Sequence, residues 1–185
     1  MPAIKVGEFL YGRLRSPDLD QAETFLSDFG MVRVARTGTA LYMRGSDPAQ
    51  YIHVTELGEP RFLGLGFAVS DPDDLKRLAK FPGASGIEST DEPGGGKRVR
   101  LTDPDGYGVE IVHGIEPVAA LNVLRQPVNS GANRPRNGEL QRPPRGPSHV
   151  KRLGHGVVMT TDLRQKVAWY RDTLGLLASD DVYAG

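Results

Sequence analysis

The sequence predicts an α+β fold. It would pair two βαβββ units into a curved, partly closed mixed sheet, with a second, incomplete module after them. Three observations carry this reading. A strand, a capped helix and three further strands follow one another twice between about residues 7 and 115. Gly (23) and Pro (14) together make up a fifth of the 185 residues, which suits short strands joined by many turns rather than a helical bundle. After a Pro/Gly/Arg-rich stretch the strand–helix device begins a third time.

The elements follow in order. Phe9–Arg15 alternates as a strand, and Ser16-Pro17-Asp18 then supplies a turn and a cap. A helix of about ten residues carries Leu19, Ala22, Phe25 and Leu26 at helical spacing and stops at Gly30. Val32–Arg36, Ala40–Arg44 and Tyr51–Thr55 read as strands around turns at Thr37-Gly38 and Gly45-Ser46-Asp47-Pro48. Phe62–Val69 restarts the pattern, and Asp71-Pro72-Asp73 opens a helix bearing Leu75, Leu78 and Ala79. Ser85–Thr90, Arg98–Thr102 and Gly108–Val112 complete it, with turns at Gly94-Gly95-Gly96 and Asp103-Pro104-Asp105-Gly106. The predicted organisation is a first module over 7–115, a connector over 116–149 and the start of a second module over 150–185. Residues 126–149 hold five Pro, three Gly and four Arg with almost no apolar content, so burial there cannot offset the entropy of ordering. That stretch is expected to lie extended over the surface with its arginines solvated.

Composition excludes several classes. Twenty-three basic and 23 acidic residues cancel, so no basic excess points to nucleic acid or a membrane surface. Without cysteine there is no disulfide scaffold and no thiolate ligand. No apolar run approaches the roughly 18 residues of a membrane span, and no secretory leader is visible, so a soluble cytoplasmic protein is the expectation. Gly94-Gly95-Gly96-Lys97 lacks the spacing and the Ser/Thr of a phosphate-binding loop and reads as a turn. His53 and His113 read as partly buried strand histidines, and His149 as a solvated connector residue.

The third copy is close to the first. Gly12, Asp18, Leu19, Gln21 and Asp28 recur in one register as Gly156, Asp162, Leu163, Gln165 and Asp172, and Phe25 is matched by Trp169, which is expected to pack on a sheet. With Leu101-Thr102-Asp103-Pro104-Asp105-Gly106-Tyr107-Gly108-Val109-Glu110 and Arg152-Leu153-Gly154-His155-Gly156, these residues resemble the vicinal oxygen chelate superfamily. That group includes glyoxalase I, bleomycin and fosfomycin resistance proteins and type I extradiol dioxygenases. A module, a connector and a histidine opening a second module resemble the two-domain extradiol enzymes. Their amino-terminal module is metal-free, and their second module binds Fe(II), less often Mn(II), through two His and one Glu.

The resemblance makes His155 the first metal ligand and implies ring cleavage of a catechol-like diol by O2. It assigns no other ligand and no catalytic acid or base, so the chain resembles a truncated dioxygenase and one histidine makes no catalytic centre. In the first module Glu110 occupies the place of a carboxylate ligand. The matching positions, Tyr11 and about Gly64, are not ligands, so Glu110 is expected to be a cavity-facing strand residue. Two alternatives stand beside this reading: a metal-free, antibiotic-type binding module, and a glyoxalase-type lyase. Residues 150–185 have no partner sheet of their own. They must dock on the first module, pair with another chain or remain loose, and the expectation is self-association as a homo-oligomer or poor order past residue 150.

Overall fold

A computed structural model describes residues 1–123, 132, 146 and 148–179. The expectation of a surface-laid, arginine-solvated connector over 126–149 therefore falls almost wholly outside the described residues. Among the described residues eight strands form one sheet: β1 (Glu8–Ser16), β2 (Val32–Arg36), β3 (Ala40–Arg44), β4 (His53–Leu57), β5 (Arg61–Ala68), β6 (Glu88–Ser89), β7 (Lys97–Thr102) and β8 (Gly108–His113). Among the described residues three helices accompany them: α1 (Leu19–Phe29), α2 (Asp73–Leu78) and α3 (Leu163–Leu174). The strand order is β2-β3-β4-β1-β5-β8-β7-β6. β1 runs parallel to β4 and β5 parallel to β8, while the two halves meet at the antiparallel pair β1–β5. Each half is thus one βαβββ unit, and the sheet is mixed as expected.

Sequence chemistry explains the helix ends. The Asp18 carboxylate accepts from the amides of Asp20 (2.8 Å) and Gln21 (3.0 Å), satisfying donors that the first turn leaves free. Asp162 does the same for Gln165 at 3.0 Å. Gly30 (φ 107°) and Gly175 (φ 71°) end α1 and α3 in the left-handed conformation.

Strand alternation divides the side chains. Val99, Leu101, Val109, Ile111, Leu65 and Phe67 face one side and form a core with Leu75 and Leu78 of α2 and Leu174 of α3. Leu41 and Met43 face Leu19 and Leu26 of α1. The opposite, concave side carries Tyr11, Tyr42, Tyr51, Val54 and Val112.

Three expectations need correction. Phe25 is 65% exposed and stacks on Phe29 with centroids 6.1 Å apart. The buried stripe of α1 runs through Leu19, Ala22 and Leu26, and Phe25 lies about 100° away from Leu26 on the flank. The strand expected over Ser85–Thr90 shrinks to Glu88–Ser89, whose partners are Arg98 and Lys97. The strand expected to carry His155 has no ladder, because residues 150–160 find no strand partner among the described residues.

Against the expectation of poor order past residue 150, that segment and α3 are docked on the first module within this one chain. Val6 donates its amide to the Leu174 carbonyl (3.0 Å), and Ile4 to that of Thr173 (3.2 Å). Lys166 inserts its ammonium between Asp103 and Asp105 of the β7–β8 turn, 2.9 Å from each. The Tyr170 hydroxyl donates to Asp103 at 3.2 Å. Trp169 packs against the α2-side core, as its pairing with Phe25 in the repeat did not require Phe25 itself to do.

Candidate functional site

The concave face of the first module holds a buried ionic network. β1 places Tyr11 opposite Gly66 of β5, and Gly66 lies opposite Glu110 of β8, so the three form one row across the sheet. Gly66 must be glycine for a steric reason: a Cβ there would sit 2.3 Å from Tyr11 Cζ. Over that gap the Tyr11 hydroxyl donates to Glu110 Oε2 at 2.6 Å. Arg13 donates through Nη2 to Glu110 (3.0 Å) and to both oxygens of Glu92 (2.8 and 2.9 Å), and through Nη1 to Glu56 (3.3 Å). Arg98 reaches Glu92 at 2.8 Å, and the Tyr51 hydroxyl donates to Glu92 at 2.9 Å.

Burial and charge tune these groups together. Burial, then the neighbouring Glu110 charge, pushes the Tyr11 hydroxyl well above its ordinary range, so it stays a donor. Burial and Glu92 do the same to Tyr51. Burial alone would destabilise the Arg13 cation, but Glu110 and Glu92 outweigh it and hold the guanidinium charged. Burial likewise works against a charged Glu92, and Arg13, Tyr51 and Arg98 reverse it, keeping the carboxyl below its usual range. Glu110 is the cavity-facing strand residue that was expected. Its Oε2 is already engaged by the Tyr11 phenol and the Arg13 guanidinium.

His155 lies elsewhere. Its exposed imidazole borders a groove of about 360 Å3 between the first module and α3, beside Phe9, Leu65, Phe67, Val158 and Tyr170. Gly156 allows that approach, since a Cβ there would meet the Phe9 ring at 2.9 Å. No cluster of three His, Cys, Asp or Glu able to hold a metal occurs among the described residues. The other histidines sit as expected. His53 is half-buried with Nε2 2.9 Å from Thr55 Oγ1, half-buried His113 places Nδ1 3.0 Å from the Val69 carbonyl, and His149 is exposed. The sequence reading missed Arg13, Glu92 and Arg98. For Arg98 a signal existed, because Arg98 and Arg100 alternate with the apolar Val99 and Leu101.

No family model matches the chain. It is 25% identical over 179 residues to the manganese-dependent 2,3-dihydroxybiphenyl 1,2-dioxygenase of Geobacillus genomosp. 3, covering 92% of this chain and 54% of the relative. It is 30% identical over 169 residues to metapyrocatechase 2 of Cupriavidus necator, covering 90% of this chain and 52% of that protein. The chain therefore spans about half the length of the curated relatives it matches. Its fold is shared with the Mn(II)-bound glyoxalase from Novosphingobium aromaticivorans (TM-score 0.59, 21% identity, 65% of this chain and 43% of that one). It is shared as well with homoprotocatechuate 2,3-dioxygenase from Brevibacterium fuscum (TM-score 0.58, 21% identity, 65% and 40%). No helix among the described residues is long and apolar enough to cross a membrane. In sequence the chain is thus similar to extradiol dioxygenases, and its paired βαβββ sheet is the fold of these glyoxalase and dioxygenase structures.

Proposed function

We propose that this chain is the amino-terminal part of an extradiol dioxygenase that opens a catechol-like ring with O2 at a non-haem Fe(II) or Mn(II) centre. In this reading residues 7–115 are a metal-free module, 116–149 a connector and 150–185 the opening of the metal-binding module, with His155 as its first ligand. The observation that carries it is the reach of the two dioxygenase alignments. They run over 92% and 90% of the chain, too much for the first module alone, so they extend past the connector and take in His155. The engaged Glu110 carboxylate supports a metal-free first module.

The described residues do not by themselves fit a metal centre. His155 is open to solvent between two glycines, and among the described residues no cluster of His, Asp or Glu completes a three-ligand face. No reaction step is therefore assigned to a residue of this chain.

The test is to read the frame beyond Gly185 and purify its full product. The expected result is a second His on a strand and a later Glu, bound iron or manganese, and O2 uptake with catechol. His155→Ala should lose the metal and the uptake, while Glu110→Gln keeps the metal. A stop codon directly after Gly185, or full metal content in His155→Ala, overturns the reading.

A further inference from the structure

The ionic network leaves donors unmatched on one side. Next to the row of Tyr11, Gly66 and Glu110, the sheet carries a second row: Arg13 of β1, Gly64 of β5 and Gly108 of β8. The two glycines have no side chains, so the sheet presents bare main chain there, and they border a cavity of about 260 Å3. Its walls are charged. Arg13 and Arg15 both reach Glu56, at 3.3 and 3.4 Å, and so rise from the same face of β1. Arg100 of β7 lies opposite Glu110 of β8, and both border the cavity from the other half of the sheet.

Donors outnumber acceptors in this lining. The carboxylates are engaged: Glu56 Oε1 accepts from Arg13 and Oε2 from Arg15. Glu110 Oε2 accepts from Tyr11 and Arg13, and Oε1 lies 3.6 Å from Arg98. The guanidiniums keep free N–H groups. Arg15 uses only Nε, and its two terminal nitrogens meet no acceptor among the described residues. Arg100 uses only Nη2, on Glu88 at 2.8 Å, which leaves Nε and Nη1. Arg13 is buried, and its Nε meets no acceptor among the described residues. Three guanidiniums stand against two carboxylates, so the lining carries an excess of one positive charge.

This inventory selects the ligand. A cation finds no open acceptor, and a neutral hydroxyl compound brings donors that the lining cannot take up. An oxyanion brings acceptors alone, with charge of the right sign. The free donors come from β1 on one side and β7 on the other. A tetrahedral anion directs oxygens to both sides, whereas a planar carboxylate presents its two along one edge.

We propose that this cavity is a binding site for a phosphate group, held by Arg15 and Arg100 from opposite sides of Gly64 and Gly108. The site joins the two βαβββ units, since Arg15 belongs to the first and Arg100 to the second. Arg100, Gly108 and Glu110 also border a neighbouring hollow beside Gly83, Ala84 and Ser85, which leaves room for a substituent on the phosphate. The site uses neither His155 nor a metal, and so goes beyond the dioxygenase reading without resting on it.

Amide NMR of the isotopically labelled chain, at neutral pH with a chelator present, tests this with inorganic phosphate as the probe. Saturable shifts are expected at Arg15, Gly64, Arg100 and Gly108, and none with chloride at equal ionic strength. Arg15→Gln and Arg100→Gln should each weaken binding by at least about tenfold. Their side chains are 44% and 54% exposed, so both variants are expected to fold. Arg33→Gln removes an arginine outside the cavity and should leave binding unchanged. Glycerol 3-phosphate separates the two sources of the group: binding at least as tight as that of phosphate marks an ester as the ligand, and weaker binding marks the free ion, and both uphold the site. The proposal is overturned by shifts that do not saturate, by equal saturation with chloride, by shifts centred on Arg33 and Arg36, or by undiminished binding to either folded cavity variant. Metal is absent throughout, so failure here is distinct from failure of the iron or manganese reading.

Discussion

Tyr11 reaches Glu110 across the bare backbone of Gly66, and the hydroxyl–carboxylate distance is 2.6 Å. The two residues sit on strands that are not neighbours, so only a missing side chain on the intervening strand lets them touch. Gly66→Ala is therefore expected to push the Tyr11 ring out of place and cost about 1–3 kcal/mol. Urea unfolding followed by circular dichroism measures this. A variant as stable as the parent shows that the ring has room to move.

Removing either partner of that contact should also be felt. Tyr11→Phe and Glu110→Gln each weaken a buried hydrogen bond to a charged group and are expected to cost about 1.5–3 kcal/mol. Glu110→Gln in addition leaves Arg13 with less compensating charge. The double variant should cost less than the sum, with a coupling of about 1–3 kcal/mol in a double-mutant cycle. Strict additivity means that the contact contributes nothing specific.

Acid should weaken the fold through His53. Burial lowers its pKa from 6.5 to about 4. The native state therefore excludes a proton that the unfolded chain binds below pH 6.5. Stability present above pH 6.5 is lost as pH falls towards 4, by about 3 kcal/mol for this group. Glu92, held below its usual range although burial opposes the charge, acts in the same direction at lower pH. Denaturant midpoints between pH 7 and 4 should fall in the parent and fall less in His53→Gln. Parallel profiles exclude His53 as the cause.

The contact between Lys166 and the β7–β8 turn should govern how firmly α3 is held. Lys166 is 4% exposed, and its ammonium lies 4.5 Å from the centre of the Tyr107 ring as well as between two aspartates. Lys166→Met leaves Asp103 and Asp105 without their shared cation. Amides in α3 are then expected to lose protection from hydrogen exchange by about a hundredfold, while β1, β5 and β8 keep theirs. Equal loss throughout the sheet would show that helix and module unfold as one unit.

The sequence by itself determined the two βαβββ units, the ends of α1 and α3, and the cavity-facing place of Glu110. These rest on local physics: alternation every second residue, aspartates that cap a first turn, and glycines that adopt positive φ where a helix stops. The resemblance to extradiol dioxygenases was legible because the Asp18–Gly30 device recurs at Asp162–Gly175 in the same order. Tertiary structure alone decided the rest. Arg13, Glu92 and Arg98 come from distant strands and a loop, and their pairing depends on strand order, which no local pattern encodes. Phe25 was placed in the core by spacing but exposed by the direction from which the sheet meets α1. The docking of α3 depends on Lys166 finding two aspartates about sixty residues away in sequence. Nor could alternation make a strand of the segment around His155, because a strand needs a partner to take up its backbone hydrogen bonds.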